Sequence, residues 1–190
     1  WANGINQRRK KGNYLLNPIK GGILDAYPKN VRTQIADAID LIWTTFLQFE
    51  APDYSEEGIQ SFKDFIENKD IISSLEFWGA YDGHVLKGVI AANENRKHIC
   101  CFFVKADYHR QGIGRKLWNH LLENSNSEVI TVNSSPYAVP VYHRLGFVDT
   151  DTEQLSDGMR YTPMKYVDRN KDPQKMLTAA GMNSHSDHWA

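Results

Sequence analysis

The segment Val104-Lys-Ala-Asp-Tyr-His-Arg-Gln-Gly-Ile-Gly-Arg-Lys-Leu117 carries the clearest chemistry in the chain. An apolar strand pattern ends there, a short loop with two glycines follows, and a helical pattern begins. The first N–H groups of a helix lack intrahelical acceptors, and the helix dipole places partial positive charge beside them. Gly112 and Gly114 let a ligand approach the backbone with no Cβ in the way. Arg110 and Arg115 add positive charge. The physical reading is a cradle for a pyrophosphate. Two other phosphate-binding patterns do not fit. The segment lacks Gly-x-x-x-x-Gly-Lys-Ser/Thr. A dinucleotide loop wants a third small residue where Leu117 stands, and an acidic residue after the next strand, which ends Thr131-Val132-Asn133-Ser134.

The elements that must hold this loop follow from periodicity. Ile35, Ile39, Ile42, Phe46 and Phe49 recur at alternating steps of four and three, one apolar face of a helix. Ala51-Pro52-Asp53 breaks it. Ser55 then caps a second helix, with Glu56 and Glu57 at the positive end of its dipole and Ile59, Phe62, Phe65 and Ile66 as its buried stripe. Strand patterns run from Leu75 to Tyr81 and from Val85 to Ala91, joined by the hairpin signal Asp82-Gly83, and a third runs from His98 to Val104 after the polar turn Asn93 to Lys97. Ile113, Leu117 and Leu121 make a helix to about Asn124. Val129 to Val132 reads as a strand buried on both faces. A helix from Pro136 to Leu145 ends at the C-cap Gly146, and Phe147-Val148 and Arg160 to Val167 are two more strands. A short strand near Tyr27 to Arg32 would precede the first helix. Hairpins joined to a βαβ crossover imply an α/β fold with a mixed sheet and helices on both faces.

Composition sets the outer bounds. A chain of 190 residues with 41% hydrophobic and 24% charged side chains is one soluble domain with residues to spare. Residues 1–22 read as a basic N-terminal extension, 23–168 as the domain, and 169–190 as a polar tail with at best a helix near Pro173 to Ala180. The net charge of −1 argues against nucleic acid as a partner. The apolar run Ile99 to Val104 is far too short to span a bilayer, and no signal-peptide core is visible at the start. Cys100 and Cys101, adjacent on a strand, should point to opposite faces as small buried hydrophobes, in keeping with a cytoplasmic location. His185 and His188 lack further ligands nearby, and no metal site is expected.

His109-Arg110-Gln111-Gly112-Ile113-Gly114 resembles the Arg/Gln-x-x-Gly-x-Gly/Ala motif of the GNAT superfamily of acetyl-CoA-dependent N-acetyltransferases, with His at the first position. Ala138-Val-Pro-Val-Tyr142-His-Arg-Leu-Gly146-Phe147 is similar to that family's Ala-x-x-x-Tyr-x-x-x-Gly-Phe signature. The resemblance covers about residues 30 to 167. It implies a central, mostly antiparallel mixed sheet and direct transfer of an acetyl group from acetyl-CoA to an amine, without a metal. It implies that residues 109 to 115 (His109, Arg110, Gln111, Gly112, Ile113, Gly114 and Arg115) hold the diphosphate. Ser135 stands where the family often has an Asn beside the pantetheine arm. The strand from His98 would splay from the one at Val129, so that an N–H near Phe103 or Val104 faces the thioester oxygen. Tyr142 matches the general acid, and His98, Glu76 or a water chain would take the amine's proton.

The acceptor would lie between the first two helices and the final hairpin. Trp43, Phe46, Phe49 and Tyr54 are candidate walls, and Glu50, Asp53, Glu56, Glu57, Asp149, Asp151, Glu153 and Asp157 crowd the two loops. The expected acceptor is a small-molecule amine, and a homodimer stays open. The alternatives are a catalytically silent CoA- or partner-binding module and a protein lysine or N-terminal acetyltransferase.

Overall fold

The computed structural model describes Leu16–Pro18 and residues 31–171. Helix α1 is Val31–Phe49, α2 is Glu56–Glu67, α3 is Lys69–Ser74, α4 is Ile113–Asn124 and α5 is Val139–Leu145. The strands are β1 (Leu16–Pro18), β2 (Leu75–Asp82), β3 (Val85–Asn93), β4 (His98–Val104), β5 (Val129–Ser134), β6 (Val148–Asp149), β7 (Gln154–Ser156) and β8 (Met159–Val167). They form a sheet in the order β1-β2-β3-β4-β5-β8-β6, with β7 added on β8. Only β1–β2 and β4–β5 are parallel, so the sheet is mixed and mostly antiparallel, as expected.

Each face of the sheet has its own core. On one side α1 and α2 lay Ile42, Phe46 and Phe62 on Phe77, Val89 and Phe103. The rings of Phe46 and Phe62 stack with centroids 4.0 Å apart. On the other side α4 and α5 bury Leu117, Trp118, Leu121 and Tyr142 against Ile90, Ile130 and Phe147. The step of four and three along α1 thus carried real information: Ile42 and Phe46 are fully buried. Ser55 caps α2 by accepting from the Gly58 N–H at 3.2 Å. Gly146 closes α5 at φ +95°, the left-handed cap its type permits. The amino end of α4 is the one that matters for chemistry. Its other end is tied down by two cations, with Arg96 donating to the Asn124 carbonyl at 2.6 Å and Lys171 to the Leu122 carbonyl at 2.6 Å.

Several expectations change. β5 is not buried on both faces: Ile130 and Val132 are inside, whereas Val129 is 37% exposed. Its residues alternate because only one side has a helix packed on it. Leu16–Pro18, read as part of a basic extension, is a strand parallel to β2 with Leu16 opposite Phe77. Val31 and Arg32 open α1 instead of belonging to a strand. α5 starts at Val139, after a turn through Ser135, and not at Pro136. The described residues run past 168 to a short turn at Arg169–Lys171, which supplies the α4 contact. The basic arm at Arg8 to Lys11, residues 27–30 and the helix near Pro173 lie outside the described residues.

The turn between β7 and β8 docks onto the start of α2 through two glycines. A Cβ at Gly58 would stand 2.2 Å from the Gly158 carbonyl oxygen, and one at Gly158 would stand 2.4 Å from the Gly58 nitrogen. Backbone meets backbone, so nothing flexible can give way. Gly58→Ala is therefore expected to cost about 2–3 kcal/mol, read by chemical denaturation. Gly114→Ala, whose Cβ would meet the Phe102 ring at 3.5 Å, should cost under about 1 kcal/mol.

Candidate active site

β4 and β5 pair only at His98–Thr131 and Ile99–Val132, and then separate. The cause is local. On its other edge β4 matches Ala92 to Ile99 and Ala91 to Cys101, which leaves Cys100 as an extra residue, a β-bulge. A bulge bends its strand and increases the twist, and this one sits where β4 leaves β5. It also overturns the expectation for the cysteines, since both pack on the α1-side core instead of facing opposite ways. Both are free thiols, and burial pushes Cys100 up to about 11 and Cys101 well above its ordinary value, so neither is a nucleophile at neutral pH.

Beyond the bulge one edge of β4 has no neighbouring strand. The Lys105 N–H donates to the Lys87 carbonyl at 2.9 Å, which fixes the phase of the ladder. Alternation then turns the polar groups of Phe103 toward β3 and those of Phe102 and Val104 toward the opening. The Phe103 N–H is thus turned to β3, and the N–H groups of Phe102 and Val104 are the ones that face the opening. A cleft of about 660 Å³ fills the opening, lined by Phe102, Val104, Gly112, Arg115, Glu50 and Tyr142 among others.

The motif loop meets the cleft with its backbone. Gly112 caps α4 at φ +79° with no side-chain cap, so the first-turn N–H groups keep their donor capacity. A Cβ at Gly112 would meet nothing within 4 Å; it would project into open space beside those donors. Arg110 stands at φ +59°, a costly conformation for a non-glycine residue. His109, Arg110, Ile113, Gly114 and Arg115 also line the cleft, and so does Arg144 of α5. Among the described residues none of these arginines is in a salt bridge. Gln111 turns away, donating to the Asp107 carbonyl at 2.8 Å. The His109 Nε2 lies 2.7 Å from the Val104 carbonyl oxygen, and its ring packs on Phe49, which stacks on Tyr137. An uncapped helix start, open space at the glycine and three arginines fit a diphosphate.

Of the three expected acid–base groups, Tyr142 lines the cleft, and His98 and Glu76 do not. His98 sits at the closed end of the β4–β5 pair, 2.8 Å from the Thr131 hydroxyl, and burial holds its pKa low. Glu76 accepts from Arg96 at 2.8 Å, next to the α4 carboxyl end. Neither lines the cleft. Glu50 does. Burial pushes its carboxyl up to about 7; the nearby Ser135 hydroxyl pulls it down and the Asp53 charge pushes it up. It also stands at the carboxyl end of α1, where the helix dipole opposes a negative charge. Across the cleft Tyr142 is 5% exposed, and burial first, then the Glu50 charge, hold its phenol firmly protonated. Of the expected walls, Phe49 reaches the cleft, Phe46 is core, Trp43 packs on that core, and Tyr54 stacks on Phe46 near Ser135. Ser135 therefore faces Glu50 and Tyr54, a neighbourhood its place in the motif did not announce. A signal for Glu50 was present: it stands four residues after Phe46, in phase with the apolar face of α1.

Among the described residues no helix is long and apolar enough to cross a membrane, and no three His, Cys, Asp or Glu side chains gather as metal ligands. Residues 50–167 match the family model for the acetyltransferase (GNAT) domain. The chain is 30% identical over 111 residues to the UPF0157 protein YqkA of Bacillus subtilis (strain 168), a match over 54% of this chain and 32% of that protein. It therefore spans about a third of that relative's length. In fold it resembles the GCN5-related N-acetyltransferase from Rhodopseudomonas palustris at 19% identity, covering 77% of this chain and 99% of that one with a TM-score of 0.63. It also resembles an aminoglycoside 6′-N-acetyltransferase complexed with coenzyme A, at 12% identity over 75% and 95% of the two chains with a TM-score of 0.51. The bulged and opened strand, the uncapped helix start and the match over most of the domain together make this chain a member of the GNAT acetyltransferase family.

Proposed function

We propose that the protein is an acetyl-CoA-dependent N-acetyltransferase acting on a primary amine of a small molecule. The observation that carries this reading is the placement of Glu50, a half-buried carboxyl whose surroundings push it up to about 7, in the same cleft as the open edge of β4 and the amino end of α4. The coenzyme A complex of the structurally similar aminoglycoside enzyme supports the choice of carrier. The N–H groups of Ile113, Gly114 and Arg115, with Arg110 and Arg115 side chains, hold the diphosphate. The open edge of β4 receives the pantetheine amides as a neighbouring strand would.

An alkylammonium of pKa about 10.4 is unreactive until it loses a proton. Glu50 accepts that proton. The freed amine nitrogen forms its bond to the thioester carbon while an N–H of Phe102 or Val104 faces the carbonyl oxygen, where charge builds up. The carbon–sulfur bond breaks, and Tyr142 donates its hydroxyl proton to the departing thiolate. The attacking nitrogen still carries one proton more than an amide; that proton leaves to solvent through the open cleft, and transfer of the proton from Glu50 to Tyr142 restores both groups. The phenol suits this task because burial keeps it neutral at working pH.

A panel of amines assayed with acetyl-CoA and thiol detection is expected to show CoA release above background with at least one small amine. Carrier binding without release for any amine would favour the silent module, and a mass gain on added proteins alone would favour a protein acetyltransferase. Gly112→Trp should abolish acetyl-CoA binding in isothermal titration, because its side chain would fill the open space beside the α4 donors. Tyr142→Phe should lower kcat by about 10-fold to 100-fold with little change in carrier affinity.

Glu50→Gln separates function from stability. It should lower kcat by about 10²–10⁴-fold, and the acid limb of kcat/KM, with its midpoint near pH 7 in the wild type, should vanish. The linkage sign is fixed by the raised value. Folding disfavours the ionised carboxyl, so the wild type loses stability as pH rises from 4.5 to about 7 and keeps that deficit above it. Denaturation at pH 8 should show the variant more stable, by at most ~3 kcal/mol, with no gain at pH 4.

A further inference from the structure

The cleft holds far less acid than the loops around it. Among the described residues Glu50 is the one Asp or Glu that lines it. Acids of the later loop are engaged elsewhere. Glu153 accepts from two nitrogens of Arg160, at 2.8 and 3.0 Å. Asp149 lies 2.7 Å from the His143 Nε2. Asp151 accepts from the Thr152 N–H at 2.7 Å and from the Gln154 amide at 3.0 Å. An amine with a second or third charge would find no further carboxylate in the cleft, and an ammonium enclosed without a counter-charge is costly. What stands beside Glu50 is aromatic. Phe49 precedes it in the chain, and the Phe49 ring stacks on Tyr137 with centroids 5.2 Å apart and planes at 27°. Phe49 is held in turn by the His109 ring, 5.0 Å away. The His109 Nε2 lies 2.7 Å from the Val104 carbonyl oxygen; a carbonyl only accepts, so that nitrogen carries the proton. All three rings line the cleft. Tyr137 is 42% exposed, so part of its ring surface is open. It stands in a turn that the Ser135 carbonyl closes by accepting from the Ala138 and Val139 N–H groups at 3.0 and 3.2 Å. A clamped pair of rings beside a single carboxylate suits a flat apolar group that carries one cation.

We propose that the acceptor is a monoamine bearing one aromatic ring, its ammonium at Glu50 and its ring on the exposed surface of Tyr137. This deepens the assignment above and rests on the cleft being the place of acetyl transfer. An amine nitrogen that reaches the Glu50 carboxyl must lay its substituent along the lining residues next to it. On α1 those are Thr45 and Phe49, and Tyr137 continues the Phe49 surface to the turn before α5. An arylalkylamine brings one cation for the one carboxylate and a ring for the rings. A polyamine or an aminoglycoside brings several cations and no flat apolar face. A ring-on-ring contact should improve affinity by about 2-fold to 10-fold beyond the apolar area it covers. Tyr137 is in this reading a specificity residue and takes no part in the proton transfers.

The test compares benzylamine, 2-phenylethylamine and 3-phenylpropylamine with butylamine, spermidine and kanamycin, using the full chain. Two quantities are read. The first is kcat/KM from thiol release with acetyl-CoA. The second is the Kd of each amine in isothermal titration against the protein saturated with coenzyme A, which needs no turnover. The best aryl amine should surpass butylamine, spermidine and kanamycin by about 10-fold or more in both. Tyr137→Ala should shrink the aryl-over-butyl ratio by about 2-fold to 10-fold, and Tyr137→Phe, which keeps the ring, should restore it. A ratio measured within one protein does not depend on how much of that protein is folded. Equal or better use of spermidine or kanamycin, or a ratio unmoved by Tyr137→Ala, would overturn the proposal. Aryl amines that bind in titration, lose their advantage in Tyr137→Ala and release no thiol would support the aromatic subsite and overturn the assignment of acetyl transfer. Thiol release led by a polycation would support acetyl transfer and overturn the aromatic acceptor.

Discussion

The bulge at Cys100 is the constraint on which the site depends. A continuous β4–β5 ladder would consume the N–H and C=O groups of Phe102 and Val104, and the sheet would have no opening. One extra residue ends the pairing after Ile99 and Val132. From that single irregularity follow a strand edge that a ligand can join, a cleft between the two halves of the sheet, and a helix start pointed at it. Both cores are organised to hold the two halves apart. The α1–α2 side grips β3 and β4, and the α4–α5 side reaches from β3 to β5 and β8. The halves remain joined at the His98 end, where Thr131 accepts the ring of His98 as a neighbour and its hydroxyl donates to the Lys97 carbonyl.

The cleft also concentrates the unfavourable terms of the fold. Glu50 is a carboxyl at the negative end of a helix, enclosed and beside another acid. Arg110 is held in a left-handed conformation. Neither feature helps the chain to fold. Both fit a site shaped for a ligand, and both are held by features elsewhere that are firm: the backbone contact of Gly58 with Gly158, the stacked Phe46 and Phe62, and the cations on the carboxyl end of α4. The same burial that makes the Glu50 charge costly brings its proton affinity toward neutrality, and it keeps Tyr142 protonated on the far wall.

Much of this was legible in the residues. Helical stripes, the Ser55 cap, the Asp82-Gly83 hairpin and the Gly146 cap depend on neighbours in sequence, and each stands where local pattern puts it. The loop proposed to hold the diphosphate was legible for the same reason, because a strand, two glycines and a helix are contiguous. The proposed proton acceptor was not. His98 and Glu76 were favoured by type and strand position, yet their partners, Thr131 and Arg96, lie on other elements and occupy them away from the cleft. Glu50 is a candidate because it shares the cleft with residues of β4 and α5, which no local period encodes, although its phase with Phe46 pointed inward. The bulge was equally hidden: adjacent cysteines imply opposite faces only while the ladder is regular. Lys69–Ser74 and Gln154–Ser156 are too short to give a period of their own.

The most direct measurement of the central claim is a crystal structure of the protein with coenzyme A bound. The account requires the diphosphate on the N–H groups that begin α4, the pantetheine amides bonded to the open edge of β4 at Phe102 and Val104, and the sulfur in the cleft between Glu50 and Tyr142. A carrier bound elsewhere, or a β4 edge closed against β5 in the complex, would contradict it.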